Sequence, residues 1–323
     1  MTTRPGAAPD SQLAAALRAG RFVITAEISP PVSCRPEDLL AKARPLAGLA
    51  DAVNVTDGAG ARAAMAASTA AALLAQHGIE PVLQFTCRDR NRIAIQSDLI
   101  GAAACGVRNL LMLRGDDPGA GDQPDAKGVF DLDSVRLIET AARMRDCGEL
   151  PTGRKIAGAP RFFIGCADMP IDPPAGWSPT GLKAKIAAGA TFAQTQFCMD
   201  AGIVARYARR LADGGVPRDF HLVIGVVPLR SARSARWIRD NLFGSIIPDG
   251  LIARLEGAAD AAAEGRRVCV ELLQQLAETP GVAGAHIMAP GADEVVPAVI
   301  AEARRGTERI ARPPARPPVR SSS

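Results

Sequence analysis

Aromatic side chains are scarce in this chain of 323 residues: Phe, Trp and Tyr together make up 4%, and Tyr207 is the single tyrosine. So few rings cannot build the stacking platforms that bind single-stranded nucleic acid, and no nucleic-acid partner is expected. Histidine is rarer still, at three (His77, His221, His286), and the seven cysteines are scattered with no CxxC or Cys/His spacing. That pattern gives no metal site. No Gly-x-Gly-x-x-Gly follows a strand-like run, so the usual dinucleotide fingerprint is missing. No apolar stretch is long enough to span a bilayer, and the N-terminus has no signal-peptide core. We therefore expect no membrane partner and a reducing, cytoplasmic setting.

What is present is apolar and helix- and strand-forming. The hydrophobic fraction is 47%, enough for a large core. The net charge of +4 is a mild excess that suits a solvated surface and also attracts anionic substrates. Apolar strand-like runs fall at 22–28, 51–56, 80–86, 108–113, 161–167, 191–197, 221–227 and 283–288. Helical patterns alternate with them near 36–47, 63–77, 91–106, 131–146, 178–189, 200–213, 231–241 and 249–278. Eight strand–helix units without hairpin signals predict a single-domain (β/α)8 TIM barrel over residues 21–310, with a doubly wound open sheet as the runner-up. Residues 1–20 read as a lead with a short helix, and the Pro/Arg/Ser-rich 311–323 as a disordered tail.

A barrel places its site at the C-terminal ends of the strands. The run Phe22–Ile28 stops at Ser29-Pro30-Pro31 and leaves Glu27 at the core's rim. Burial there disfavours the charged form of a carboxyl group and equips it to donate a proton; a plain ion pair with a neighbouring arginine is the alternative. The other strand ends contribute Thr56-Asp57, Thr86-Cys87, Arg114-Gly115-Asp116, Ala167-Asp168, Gln196, Pro228 and His286. This rim holds acids, amides and an arginine but no nucleophile–base pair. It suits a flat, polar heteroaromatic ligand and proton transfer by a carboxylate. Gly115 lets backbone approach a ligand, and Arg114 can hold a phosphate or carboxylate. Gln196 offers a donor and an acceptor, or else satisfies loop backbone. His286 has no visible partner and reads as a structural or rim histidine.

The ordered set Ala26-Glu27-Ile28-Ser29-Pro30-Pro31, Val55-Thr56-Asp57-Gly58, Leu113-Arg114-Gly115-Asp116, Leu182-Lys183-Ala184-Lys185, Thr195-Gln196-Phe197 and Gly225-Val226-Val227-Pro228 resembles the methylenetetrahydrofolate reductase family. The resemblance runs from about residue 21 to 290. It implies an enzyme that interconverts 5,10-methylene- and 5-methyltetrahydrofolate, with hydride passing between NADH or NADPH, bound FAD and the folate carbon. Within it, Glu27 matches the general acid that protonates N10, and Asp116 matches an aspartate near flavin and pterin. Gln196, Thr56 and Asp57 fall to the folate substrate. Arg114, Gly115, Thr86, Cys166, Ala167, Lys183 and Lys185 fall to the FAD site. A homo-oligomer, or a partner subunit, is expected. The chain departs from the family pattern at Asp57, at Gly165-Cys166-Ala167 and near Ala232, where aromatic residues are usual; Gln84 stands near a usual histidine. A flavin-free, NADH-dependent reductase and a methyl-folate-binding or methyl-transfer barrel acting with a partner are the alternatives.

Overall fold

The computed structural model describes residues 11–310, with side chains described to 305. The expectations for the first ten residues and for the tail at 311–323 lie outside that range.

Eight parallel strands close into a barrel in sequence order. They are β1 (Val23–Ile28), β2 (Ala52–Val55), β3 (Pro81–Thr86), β4 (Asn109–Leu113), β5 (Phe163–Asp168), β6 (Phe192–Phe197), β7 (His221–Val226) and β8 (Val282–Ile287). The helices are α1 (Gln12–Arg18), α2 (Pro36–Ala43), α3 (Ala67–Gln76), α4 (Arg92–Ala104), α5 (Ser134–Cys147), α6 (Thr180–Ala187), α7 (Ala201–Asp213), α8 (Ala232–Asn241), α9 (Asp249–Glu256), α10 (Ala261–Ala277) and α11 (Val296–Ile310). The closed parallel barrel confirms the fold expected from strand–helix alternation.

Two helical expectations change. The pattern at 249–278 is two helices, α9 and α10, parted at Gly257 and restarted by the Asp260 side chain, which accepts from Ala263 N. The final helix α11 was not foreseen. The other helix starts carry familiar caps: Asn91, Asp133 and Asp200 accept from backbone N–H groups of α4, α5 and α7, and Pro36 opens α2.

Strand side chains alternate between two cores. Ile24, Ala26, Leu83, Phe85, Ile164 and Cys166 face out beneath the helices. Val23, Ala52, Val82, Leu111, Phe163, Phe192 and Val223 face in and form the barrel floor. Leu13, Ala14, Ala16 and Leu17 of α1 plug that floor from below. Glu80 holds the plug, its two carboxylate oxygens accepting from Gln12 N and Leu13 N at 2.8 Å each. Phe163 and Phe192 stack with ring centres 4.8 Å apart. A Cβ on Gly165 would lie 2.3 Å from the Phe192 ring, so the small residue in β5 is the counterpart of a large one in β6.

Candidate active site

Above the apolar floor the inward positions turn polar. Thr25, Asn54, Gln194 and His286 are all buried inside the barrel. The Asn54 and Gln194 amides pair reciprocally, Asn54 Nδ2 donating to Gln194 Oε1 at 2.6 Å and Gln194 Nε2 to Asn54 Oδ1 at 3.1 Å. Gln194 Nε2 also donates to Thr25 Oγ1 at 3.0 Å, and Thr25 Oγ1 lies 2.9 Å from His286 Nδ1.

Glu27 stands one inward step above Thr25 on β1, with a side chain 21% exposed. Gln84 Nε2, from β3, donates to Glu27 Oε2 at 2.6 Å. His286 Nε2, from β8, lies 3.5 Å from the same oxygen. Asp293, in the turn after β8, adds a second carboxyl group. Burial raises it above the ordinary aspartate range, Lys42 at 3.7 Å opposes that, and the charges of Glu294 and Glu27 add to it.

The other expected site residues are distributed unevenly. Thr56 is buried at the inward position above Asn54. Asp57 is buried as well, but its carboxylate is taken up by protein: it accepts from Thr86 N and Oγ1 at 2.9 Å and from Arg90 Nη1 at 2.6 Å. Thr86 is consumed in the same contact. A Cβ on Gly115, at φ +91°, would lie 2.9 Å from Arg88 Cβ and 3.1 Å from Thr86 Cβ, so protein occupies the space beside this glycine. Arg114 is exposed and stacks over Phe130 at 4.3 Å. Asp116, also exposed, accepts from Gly60 N at 2.9 Å and ties the loop after β4 to the loop after β2. Gln196 sits in a bulge between β6 and β7; its Oε1 accepts from Phe197 N at 3.0 Å and its Nε2 donates to Phe243 O at 3.2 Å. That is the backbone-satisfying alternative.

Three assignments do not reach the rim as expected. Cys166 faces outward, fully buried under the helices, with its thiol pushed up to about 12 by burial; strand alternation gives the inward place to Ala167. Lys183 Nζ donates to Gly214 O, beyond the C-terminal end of α7 and so at the opposite end of the barrel. The loop from 169 to 179 runs down along α7, through Asp172–Arg206 and Pro174–Arg210 contacts, and starts α6 low. Lys185 Nζ donates to Ala167 O at 2.7 Å from outside the sheet. Asp168 also points outward, accepting from Tyr207 OH at 2.6 Å.

Reading the sequence for single strand ends missed Thr25, Asn54 and Gln194, and treated Gln84 only as a departure. A signal for them is present. Thr25/Glu27, Asn54/Thr56, Gln84/Thr86 and Gln194/Gln196 are polar pairs two residues apart inside apolar strands. That spacing puts both members on the inner face. The run Arg88-Asp89-Arg90-Asn91-Arg92 was also passed over. It anchors the rim, through Arg90 to Asp57 and Asp98 and through Arg92 to Asp131.

A family model for methylenetetrahydrofolate reductase matches residues 12–304, nearly all of the described barrel. The chain belongs to the methylenetetrahydrofolate reductase family. A probable NADPH-dependent methylenetetrahydrofolate reductase of Caenorhabditis elegans is 28% identical over 228 residues, 68% of this chain and 32% of that protein. The 5,10-methylenetetrahydrofolate reductase of Salmonella typhimurium is 26% identical over 195 residues, 59% of this chain and 57% of that one. The chain thus spans about a third of the first and just over half of the second. A Clostridium thermocellum protein described as binding two copies of 5-methyl-5,6,7,8-tetrahydrofolic acid superposes with a TM-score of 0.58 at 14% identity, covering 93% of this chain and 100% of that one. That likeness shows the shared barrel. Among the described residues no group of metal-ligating side chains occurs, and no helix is long and apolar enough to cross a membrane.

Proposed function

We propose that this chain interconverts 5,10-methylene- and 5-methyltetrahydrofolate with a nicotinamide dinucleotide as redox partner, and that Glu27 is its general acid. The observation that carries this reading is the half-buried Glu27 carboxyl at the barrel mouth, gripped by Gln84 at 2.6 Å above a sealed polar layer. The sequence resemblance described above matches Glu27 to the family's acid. In the reductive direction the proton leaves Glu27 for N10 of the folate. The N10–methylene bond breaks with its electron pair going to N10, and the carbon remains as an iminium on N5. Reduced nicotinamide supplies the hydride that converts it to methyl. Glu27 is left ionised and regains its proton from solvent.

Most of the residues matched to FAD are taken up by protein contacts or face away from the mouth in this chain. Thr86, Gly115 and Asp57 close on one another and on Arg90, Arg114 lies on Phe130, Cys166 faces outward and Lys183 is at the far end. The loop after β4 is packed onto the loop after β2, where a Cβ on Gly121 would meet Ala61 O. These contacts favour the flavin-free alternative, hydride passing directly from NADH or NADPH. An apolar-walled cleft of about 660 Å³ between the ends of β7 and β8 offers room for the rest of the substrate. Arg230, Arg233 and Trp237 line it, and suit an anionic tail attached to a ring.

The test is the visible spectrum of the purified protein together with NADH oxidation, with and without methylenetetrahydrofolate. A colourless protein that oxidises NADH only when the folate is present supports the proposal. A yellow protein bleached by NADH overturns the flavin-free route. Folate binding without NADH oxidation overturns the enzymatic reading and points to a binding subunit. Glu27→Gln should cut folate-dependent turnover by roughly 10²- to 10⁴-fold, the scale of a lost general acid, and leave folate binding in place.

A further inference from the structure

His286 is 2% exposed, and its Nε2 has no hydrogen-bond partner although it points at Glu27 Oε2 from 3.5 Å. Its other ring nitrogen is committed, and with the Asn54 and Gln194 amides as oriented here the contacts assign the ring proton. In the amide orientations of this structure Gln194 Nε2 faces Thr25, and Thr25 Oγ1 accepts from it at 3.0 Å. The Thr25 hydroxyl then has one hydrogen to give. Its near acceptor is His286 Nδ1 at 2.9 Å; the competing Ala285 carbonyl is at 3.5 Å. Nδ1 therefore acts as an acceptor. A neutral imidazole with a bare Nδ1 carries its hydrogen on Nε2, the nitrogen facing Glu27.

We propose that His286 is the positioning residue of Glu27: held as the Nε2–H tautomer by Thr25, Gln194 and Asn54, it joins Gln84 in donating to Oε2 and so confines the transferable proton to Oε1. This rests on the proton donation proposed above. With Gln84 Nε2–H bonded to Oε2 and His286 Nε2–H aimed at it, a proton on that oxygen would meet two donors. The acid form therefore carries its hydrogen on Oε1. During transfer the Oε1–H bond breaks, a bond from that hydrogen to the substrate nitrogen forms, and the electron pair stays on the carboxylate. The Gln84 N–H is then already in place for the charge that develops on it, and the His286 N–H is aimed at the same oxygen. The 3.5 Å separation leaves the His286 contact free to tighten as that charge appears. A neutral imidazole with its hydrogen directed at Glu27 presents no lone pair there and does not compete for the proton.

The decisive measurement is nitrogen-15 NMR of the imidazole rings in the folate-free protein, which has three histidines, with His286 assigned by its disappearance in His286→Gln. The expected result is a His286 ring protonated at Nε2 and bare at Nδ1, with Thr25→Val producing a mixture of tautomers. A His286 ring protonated at Nδ1 overturns the proposal, whatever the enzyme does. Kinetics give the second arm. His286→Leu should lower kcat by roughly a hundredfold, the scale of one lost transition-state donor, with little change in KM for the folate. His286→Gln, which keeps an N–H near the Nε2 position, should recover most of that loss. Equal losses in the two variants, or a loss confined to KM, overturn the positioning role. Because the NMR arm needs no folate, failure of the folate reading, seen as an unaffected Glu27→Gln, is distinguishable from failure of this one.

Discussion

Gln84 reaches across the mouth of β2 to hold Glu27, Nε2 to Oε2, at 2.6 Å. Neither side chain is near the other in sequence, and the strand between them contributes Asn54 and Thr56 to the layer on which they rest. The acid is thus fixed by the barrel's curvature, which brings β1 and β3 within side-chain reach.

Replacing Gln84 by Met keeps volume and removes the donor. A carboxyl displaced by an ångström loses alignment with its target, so kcat for folate-dependent NADH oxidation should fall by about 10- to 100-fold. Folding stability measured by urea denaturation should change much less, because Glu27 is partly solvated.

The Asp57–Arg90 pair should behave in the opposite way. Both side chains are largely buried, at 8% and 13% exposed, and the carboxylate also holds the backbone and hydroxyl of Thr86. Arg90→Ala leaves the buried Asp57 carboxylate without its counter-charge and should cost about 3–5 kcal/mol in urea unfolding, whereas Asp57→Ala leaves Arg90 its second partner, Asp98, and should cost less. The double variant should lose less than the sum of the two, which a double-mutant cycle reads directly.

Asp168 predicts a pH dependence. Burial raises its carboxyl group above the ordinary 3.8, against the Tyr207 hydrogen bond, which lowers it. The folded state therefore keeps this proton where the unfolded chain has released it. The resulting stability is fully present below 3.8 and is lost as pH rises through the raised folded value. Asp168→Asn retains an acceptor for Tyr207 and abolishes the titration. Stability of the variant relative to the parent, from urea midpoints, should rise with pH across that window.

Cysteine reactivity should split three to four. Cys34, Cys105 and Cys147 are exposed, and Cys87, Cys166, Cys198 and Cys269 are buried. Burial pushes the Cys87 thiol to about 11 and the other three to about 12. A thiol reagent at neutral pH should titrate three groups in the native protein and the remaining four after denaturation.

The sequence by itself determined the fold and the place of Glu27 at the rim of the first strand. Eight apolar runs separated by helix-period segments admit few arrangements other than a closed parallel barrel, and two prolines after Ile28 leave Glu27 at a strand end. These are local signals, set by side-chain period and by the lack of a proline N–H. What surrounds the acid came only from the tertiary structure. Gln84, His286, Thr25 and Gln194 belong to four different strands, and their mutual distances depend on how those strands close. The same closure spent Asp57, Thr86, Gly115 and Gln196 on neighbouring backbone and side chains, sent Cys166 outward, and filled the space beside Gly165 with Phe192. Residue type and strand position state what a side chain offers; which partner accepts the offer is decided by packing between segments distant in the chain.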